Sequence, residues 1–288
     1  FTLANYGSVG RDVAGVRAKV AAAYASGSLG DQDWLRGDTQ IGQHQFNDCL
    51  ILQMALDQRP TRRELMVSPS WPNFATPLPA CRDLRRLIAG EAPAPQIAFY
   101  HRYIHGHVML VRYLLPDMSV DAIRTLYKFA VAGLILLGLG LSMLAVAAGR
   151  RRRQGLVWLI VFVAFGRCFG IEAFGQSLGH APSDLVVLAM LLLLAAASLW
   201  NGLPDRAVVP LAAAFGAATM IFEFLTGGIP LGLAILIGGL PFAVRDGSGA
   251  ALRRTVMRAV IAYGAAIAAC VALKLALIVH VFGADGLA

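Results

Sequence analysis

Residues 129–149 run for twenty-one positions without a charged side chain, and further runs of the same kind follow. Crossing the hydrocarbon of a bilayer takes roughly 20 apolar residues in helical form, so this pattern constrains the chain more than any other feature. Six such stretches can be drawn, at 129–149, 155–175, 185–200, 207–225, 229–244 and about 260–282, the shortest of them leaning on their flanks. Composition agrees: 57% of residues are hydrophobic, only 15% are charged and the mean hydropathy is +0.63, far from an average soluble domain. Charge is concentrated early, since residues 1–128 hold 14 of the 25 Lys and Arg and 11 of the 17 Asp and Glu. The expectation is an all-α protein: a helical outer-face segment over residues 1–128, then a polytopic transmembrane helix bundle of about six helices over 129–288.

Basic residues in short connections are retained on the cytoplasmic side, which sets orientation. One set of connections carries Arg150, Arg151, Arg152, Arg153, Arg206, Arg245, Arg253, Arg254 and Arg258, whereas the alternate set, at 176–184 and 226–228, carries no Lys or Arg. This predicts that the arginine cluster is inside and that residues 1–128 and the C-terminus are outside, on the periplasmic or extracellular face. The basic pI of about 9.7 then reflects topology and affinity for anionic lipid or phosphate, with no nucleic-acid partner required. The chain opens at Phe1 with neither a methionine nor a basic-then-apolar leader, so we expect upstream residues, a signal or a first spanning helix.

Within the outer segment, helical patterns are expected at 12–25, 41–58 and 96–115, the last closed by Pro116. Between the second and third lies SPSWPNFATPLP at 68–79, whose four prolines exclude regular helix and predict a structured loop. Its Trp71 and Phe74 either anchor the loop at the membrane interface or stack on a ligand. Cys49 and Cys81 flank this loop in a compartment where a disulfide persists, and they are expected to approach each other, bridged or packed as small hydrophobes. There is no CxxC, HExxH, Walker-type glycine loop or internal repeat. Haem, zinc and nucleotide chemistry therefore lose their usual sequence support, no cofactor is predicted, and a divalent metal is left open.

Charges inside apolar runs are costly and by default functional. Arg167, Glu172, Glu223 and Lys274 all fall in the outer halves of their expected spans. They form either packing salt bridges, such as Arg167 with Glu223 or Lys274 with Glu172, or a polar cavity open to the outside. Above them lies YHRYIHGH at 100–107, in which Arg102, Tyr103 and His105 suit contacts to phosphate or sugar hydroxyls if the stretch is helical. Its bland counterpart is an amphipathic interfacial helix. Three histidines there offer no convincing spacing for a metal. In QHQFNDCLILQM at 43–54, Asp48 is the last charge before an apolar patch, with His44 one turn earlier, and is placed as a general base or as an ordinary helix-surface aspartate.

The stretch at 100–107 resembles a Y-x-R-Y-W-H-G-Y motif, and FEFLT at 222–226 resembles an F-D-F-L-T motif. Both belong to a family of bacterial multi-pass membrane proteins associated with envelope polysaccharides. Asp48 resembles the aspartate of that family's first outer loop, while Ile104 replaces an aromatic and Glu223 an aspartate. The layout is also similar to membrane glycosyltransferases of the C superfamily. What the resemblance implies is a glycosyltransferase in the bacterial inner (plasma) membrane, moving a sugar from a polyprenyl-phosphate carrier to an envelope glycan or lipid acceptor at the outer face. In that scheme Asp48, Glu223 and His105 are catalytic, and Arg102, Tyr103, Arg167, Glu172, Lys274 and Trp71 bind substrate. The rival readings are a transporter or flippase for a lipid-linked or anionic solute, and a non-catalytic scaffold subunit.

Overall fold

The computed structural model describes residues 1–32, 39–91, 95–149, 151–169, 177–200, 202–223, 227–245 and 248–287, with side chains at 39–44 and in a few helix-end positions left aside. Glu172 and the side chain of His44 lie outside the described residues. The described chain is mainly α-helical and divides into two compact units: Phe1–Lys128 with Gly175–Pro182 and Ala272–Ala288, and Phe129–Phe174 with Ser183–Val271.

The first unit begins with α1 (Thr2–Ser8) and α2 (Val13–Ala25), the latter started by Asp12, whose carboxylate accepts from the Gly15 amide at 3.1 Å. Then come α3 (Thr39–Leu56) and α4 (Arg62–Val67), which Thr61 and Glu64 open with a reciprocal capping box. Strand β1 (Ser70–Asn73), α5 (Ala80–Ala89), β2 (Gln96–Phe99) and α6 (Gly106–Leu114) complete the segment. The core forms on α3, where Ile51, Leu52 and Met54 are fully buried with Leu65 and Leu84. A disulfide joins Cys49 to Cys81 across a Cα separation of 5.0 Å and fastens α3 to α5.

The expected helix over 96–115 is corrected by the structure. Its first part is β2, antiparallel to β1 with Ser70 opposite Phe99 and Asn73 opposite Gln96. Helix begins only at Gly106. The physical reason is the partner strand: the proline-rich loop is extended, and its free edge offers hydrogen bonds that Gln96, Ile97, Ala98 and Phe99 accept in place of a helical turn. Pro72 is tolerated because a two-stranded ribbon consists only of edges.

Six long helices occupy the six expected apolar runs: α7 (Val120–Ala147), α8 (Arg152–Phe169), α9 (His180–Leu199), α10 (Asp205–Phe222), α11 (Gly228–Ala243) and α12 (Gly249–Phe282). Four of these, α7, α9, α10 and α12, are long and apolar enough to cross a membrane. Helix α8 carries three arginines and α11 has 16 residues, so neither meets both conditions alone. The second unit packs around Trp158, Phe162, Leu188, Leu194, Phe215 and Leu236. Two glycines let its helices approach closely. A Cβ on Gly138 would stand 2.3 Å from the Phe162 ring, and one on Gly216 would stand 2.5 Å from the carbonyl oxygen of Tyr263. Small residues at such crossings are how apolar helices pack when lipid removes the hydrophobic driving force. Phe129, Leu136, Leu137, Leu144, Ile160 and Ile261 are exposed, an outward apolar surface suited to lipid tails.

Candidate functional site

The β-ribbon delivers the chain to the 100–107 stretch. Tyr100 continues the ladder, its amide donating to the Pro69 carbonyl at 3.0 Å. The backbone then turns at His105, which starts α6 in the left-handed region at φ 64° and ψ 41°. A non-glycine residue there is uncommon and is held by its surroundings. His105 is buried, its Nε2–H donates to the Tyr100 carbonyl at 2.9 Å, and its Nδ1 has no hydrogen-bond partner among the described residues.

Burial, followed by the nearness of His107 and Lys274, holds the His105 imidazole well below the usual histidine range. His107, also fully buried, is lowered to about 3 by burial and by the charge of His180. Both rings are neutral near pH 7. Around them lies an aromatic cluster: Trp71 and Tyr100 have ring centroids 6.0 Å apart, Tyr100 and Tyr103 5.8 Å, and Tyr100 and His105 5.2 Å. Trp71, Tyr100 and Tyr103 are partly exposed, and Arg102 in the same loop is exposed. Three aromatic rings and the exposed Arg102 thus lie on the β-ribbon and the stretch that follows it.

Lys274 was expected to neutralise a phosphate, but its ammonium is engaged otherwise. It donates to the Val67 carbonyl and, at 2.8 Å, to Ser68 Oγ. Ser68 is fully buried at the end of α4, and its Oγ also lies 2.8 Å from His101 Nδ1. Sequence reasoning did not find Ser68 or this use of His101, because 206 residues separate Lys274 from Ser68 and no spacing rule links them.

Asp48 is also fully buried. Arg124, near the start of α7, grips its Oδ2 through Nη2 at 2.6 Å and Nε at 2.8 Å, while its Oδ1 accepts from the Leu178 amide. Burial pushes the Asp48 carboxyl above the ordinary aspartate range, against the opposing pull of Arg124, the Leu178 amide and Ser177. A carboxylate so engaged is an anchor in this arrangement. Deprotonating an acceptor hydroxyl would first require Arg124 to release it.

Glu223, Arg167 and Ser183 belong to the second unit. Glu223 ends α10 in an extended conformation and is 8% exposed, its Oε1 accepting from the Gly227 amide at 3.2 Å. A Cβ on Gly228 would stand 2.7 Å from Glu223 Oε2 and 3.2 Å from Ser183 Oγ, so the glycine leaves room for the carboxylate over the start of α11. A negative charge at a helix N-terminus is favourable there, which gives this costly residue a structural use. Arg167 is exposed in the last turn of α8. Among the described residues no group of three or more His, Cys, Asp or Glu side chains is placed to hold a metal ion.

Compared with known proteins, the chain matches no family model, no curated protein and no solved structure.

Proposed function

We propose that this chain is a membrane glycosyltransferase that moves a sugar from a polyprenyl-phosphate carrier to an envelope glycan or lipid acceptor. The observation that carries the reading is the cluster of partly exposed Trp71, Tyr100 and Tyr103 in the first unit, on a stretch that also carries exposed Arg102. Aromatic faces suit the apolar sides of a sugar ring, and a guanidinium suits a phosphate, which it can engage through two parallel hydrogen bonds. The long apolar helices are consistent with a lipid-borne donor, and the arginine asymmetry supports the bacterial plasma membrane with residues 1–128 on its outer face. Nucleotide donors are unavailable outside the cell, which favours a lipid carrier for the activated sugar.

The transfer assay uses the full chain in detergent, a radiolabelled polyprenyl-phosphate sugar and a crude envelope acceptor. Arg102→Ala and Tyr103→Ala are each expected to lower transfer about 10- to 100-fold, the equivalent of roughly 1.4 to 2.8 kcal/mol, with the unfolding midpoint unchanged. Wild-type protein that stays folded and transfers nothing would remove the reading. For sidedness, cysteines introduced at Gly30 and Arg152 are probed in intact cells with an impermeant maleimide. Label is expected at position 30 and not at 152, and the reverse pattern would overturn the outer-face assignment. The break between α10 and α11 at Glu223 and Gly227 favours a second reading, transport of an anionic lipid-linked solute. Flipping of that solute in vesicles without sugar transfer would select it.

A further inference from the structure

Ser68 lies between an imidazole and an ammonium, and the donor inventory limits how the three groups share protons. An ammonium has only donors, so Ser68 Oγ accepts from Lys274 at 2.8 Å, which leaves its own proton free to go to His101 Nδ1 at 2.8 Å in one of the two imidazole tautomers. The ring proton of His101 then sits on Nε2. Lys274 uses one N–H on the Val67 carbonyl and one on Ser68, and its third has no partner among the described residues although the side chain is nine-tenths buried. The ordinary explanation is that Lys274 caps the end of α4 through Val67, with Ser68 and His101 merely satisfied around it. That account covers the Val67 contact. It does not require an imidazole nitrogen within hydrogen-bond reach of the same serine oxygen.

We propose that Ser68 is an acyl-accepting nucleophile toward carboxylic esters, with His101 as its general base and Lys274 as the cation that stabilises charge on oxygen. The proposal goes beyond sugar transfer and does not rest on it. In the step itself Ser68 Oγ bonds to the ester carbonyl carbon and its proton passes to His101 Nδ1. The carbonyl electron pair moves to the oxygen, where the remaining Lys274 N–H meets the developing negative charge. Collapse expels the alcohol, which takes the proton back from His101, and leaves an ester on Ser68. Water or an acceptor hydroxyl, deprotonated by the same imidazole, then attacks this ester; the bond to Ser68 Oγ breaks, Ser68 takes the proton back from His101, and the acyl group leaves as a carboxylic acid or a new ester. One ammonium matches one oxyanion, the demand of an acyl group; a phosphoryl group spreads charge over three oxygens and is usually met by several cations.

Burial and the Lys274 charge hold the His101 ring below the usual histidine range, so it is neutral and able to accept a proton at pH 7. Against His101 packs Phe282, the last residue of α12, whose ring is 4.7 Å from that of His101 and 4.6 Å from that of Phe99. Ser68 itself has no solvent exposure, so in this proposal an aryl or acyl group reaches it by replacing the Phe282 ring against Phe99 and His101.

The experiment treats the full chain in detergent with p-nitrophenyl acetate and, separately, with a fluorophosphonate, and maps adducts by peptide mass spectrometry. Both probes are expected to modify Ser68 in native but not heat-denatured protein, and Ser68→Ala should lose the adduct. His101→Gln should slow labelling about 100-fold at an unchanged unfolding midpoint, and Phe282→Ala should speed it. Absence of any adduct on Ser68 in folded wild-type protein overturns the proposal, as does acetylation of Lys274 in its place. Equal labelling rates in wild type and His101→Gln would also overturn it, by removing the base. Sugar transfer is measured on the same samples, so failure of one activity is distinguishable from failure of the other.

Discussion

Replacing Asp48 with alanine is expected to destabilise the first unit by about 3 to 5 kcal/mol, the usual consequence of removing one partner from a buried ion pair. The loss arises less from the missing attraction than from what stays behind: Arg124, with a side chain only 16% exposed, would keep its charge without a counterion, and the Leu178 amide would lose its acceptor. In a chain with a unit of this size the unfolding midpoint should fall by on the order of 10 °C. The double variant Asp48→Met with Arg124→Met is the informative comparison. An apolar pair of similar volume removes both charges together, and stability should return to within about 1 to 2 kcal/mol of wild type. The same pair of variants tests chemistry. If Asp48 is an anchor, the stabilised double variant keeps sugar transfer; if it is a base that Arg124 releases during turnover, the double variant is folded and inactive. A single Asp48→Ala protein as stable as wild type would contradict the buried-anchor description outright.

How much of this was legible in the sequence depended on distance along the chain. The six apolar runs became α7 to α12 with ends shifted by only a few residues in most cases, because run length and charge placement are local signals. Trp71, Arg102, Tyr103 and His105 sit in two short stretches that the sequence marked out, and a hydrogen-bonded ribbon brings those stretches together. The helix expected over 96–115 failed because a short amphipathic run reads equally well at period 3.6 or 2 until a strand partner is known. That partner was hidden in a proline-rich loop. Asp48 was noticed as a charge entering an apolar patch, yet its partner Arg124 is 76 residues away and nothing near Asp48 announces it. Lys274 likewise drew attention as a charge in a span, but the groups that absorb it, Val67 and Ser68, lie at the end of α4 in the first unit. Burial of a charge is visible in sequence; the identity of its counterpart is a property of the folded chain.

The buried histidines predict the second large effect, a contribution to stability that is lost in acid. His107 is neutral in the folded protein down to about pH 3, whereas the unfolded chain takes up a proton near the ordinary value of 6.5. Its folded value is therefore depressed, so its contribution is fully present above about pH 6.5 and is lost as pH falls toward 3. At pH 5 the loss from His107 alone is about 2 kcal/mol, since each unit between the two values is worth 1.36 kcal/mol. His105 acts in the same direction, being held well below the usual range by burial beside His107 and Lys274. Asp48, whose carboxyl burial raises, acts in the opposite direction at low pH, so the bare acid profile of the wild type mixes terms of both signs. Comparing wild type with His107→Gln cancels what the two proteins share. The variant pays a fixed penalty at pH 7 for altered packing, and from there its stability should fall less steeply, so that the gap between the two proteins narrows by about 2 kcal/mol on going from pH 7 to pH 5. The measurement is reversible unfolding of detergent-solubilised protein across that interval. Parallel pH profiles would show that His107 titrates normally in the fold, and the buried, neutral histidine pair of the 100–107 stretch would have to be abandoned.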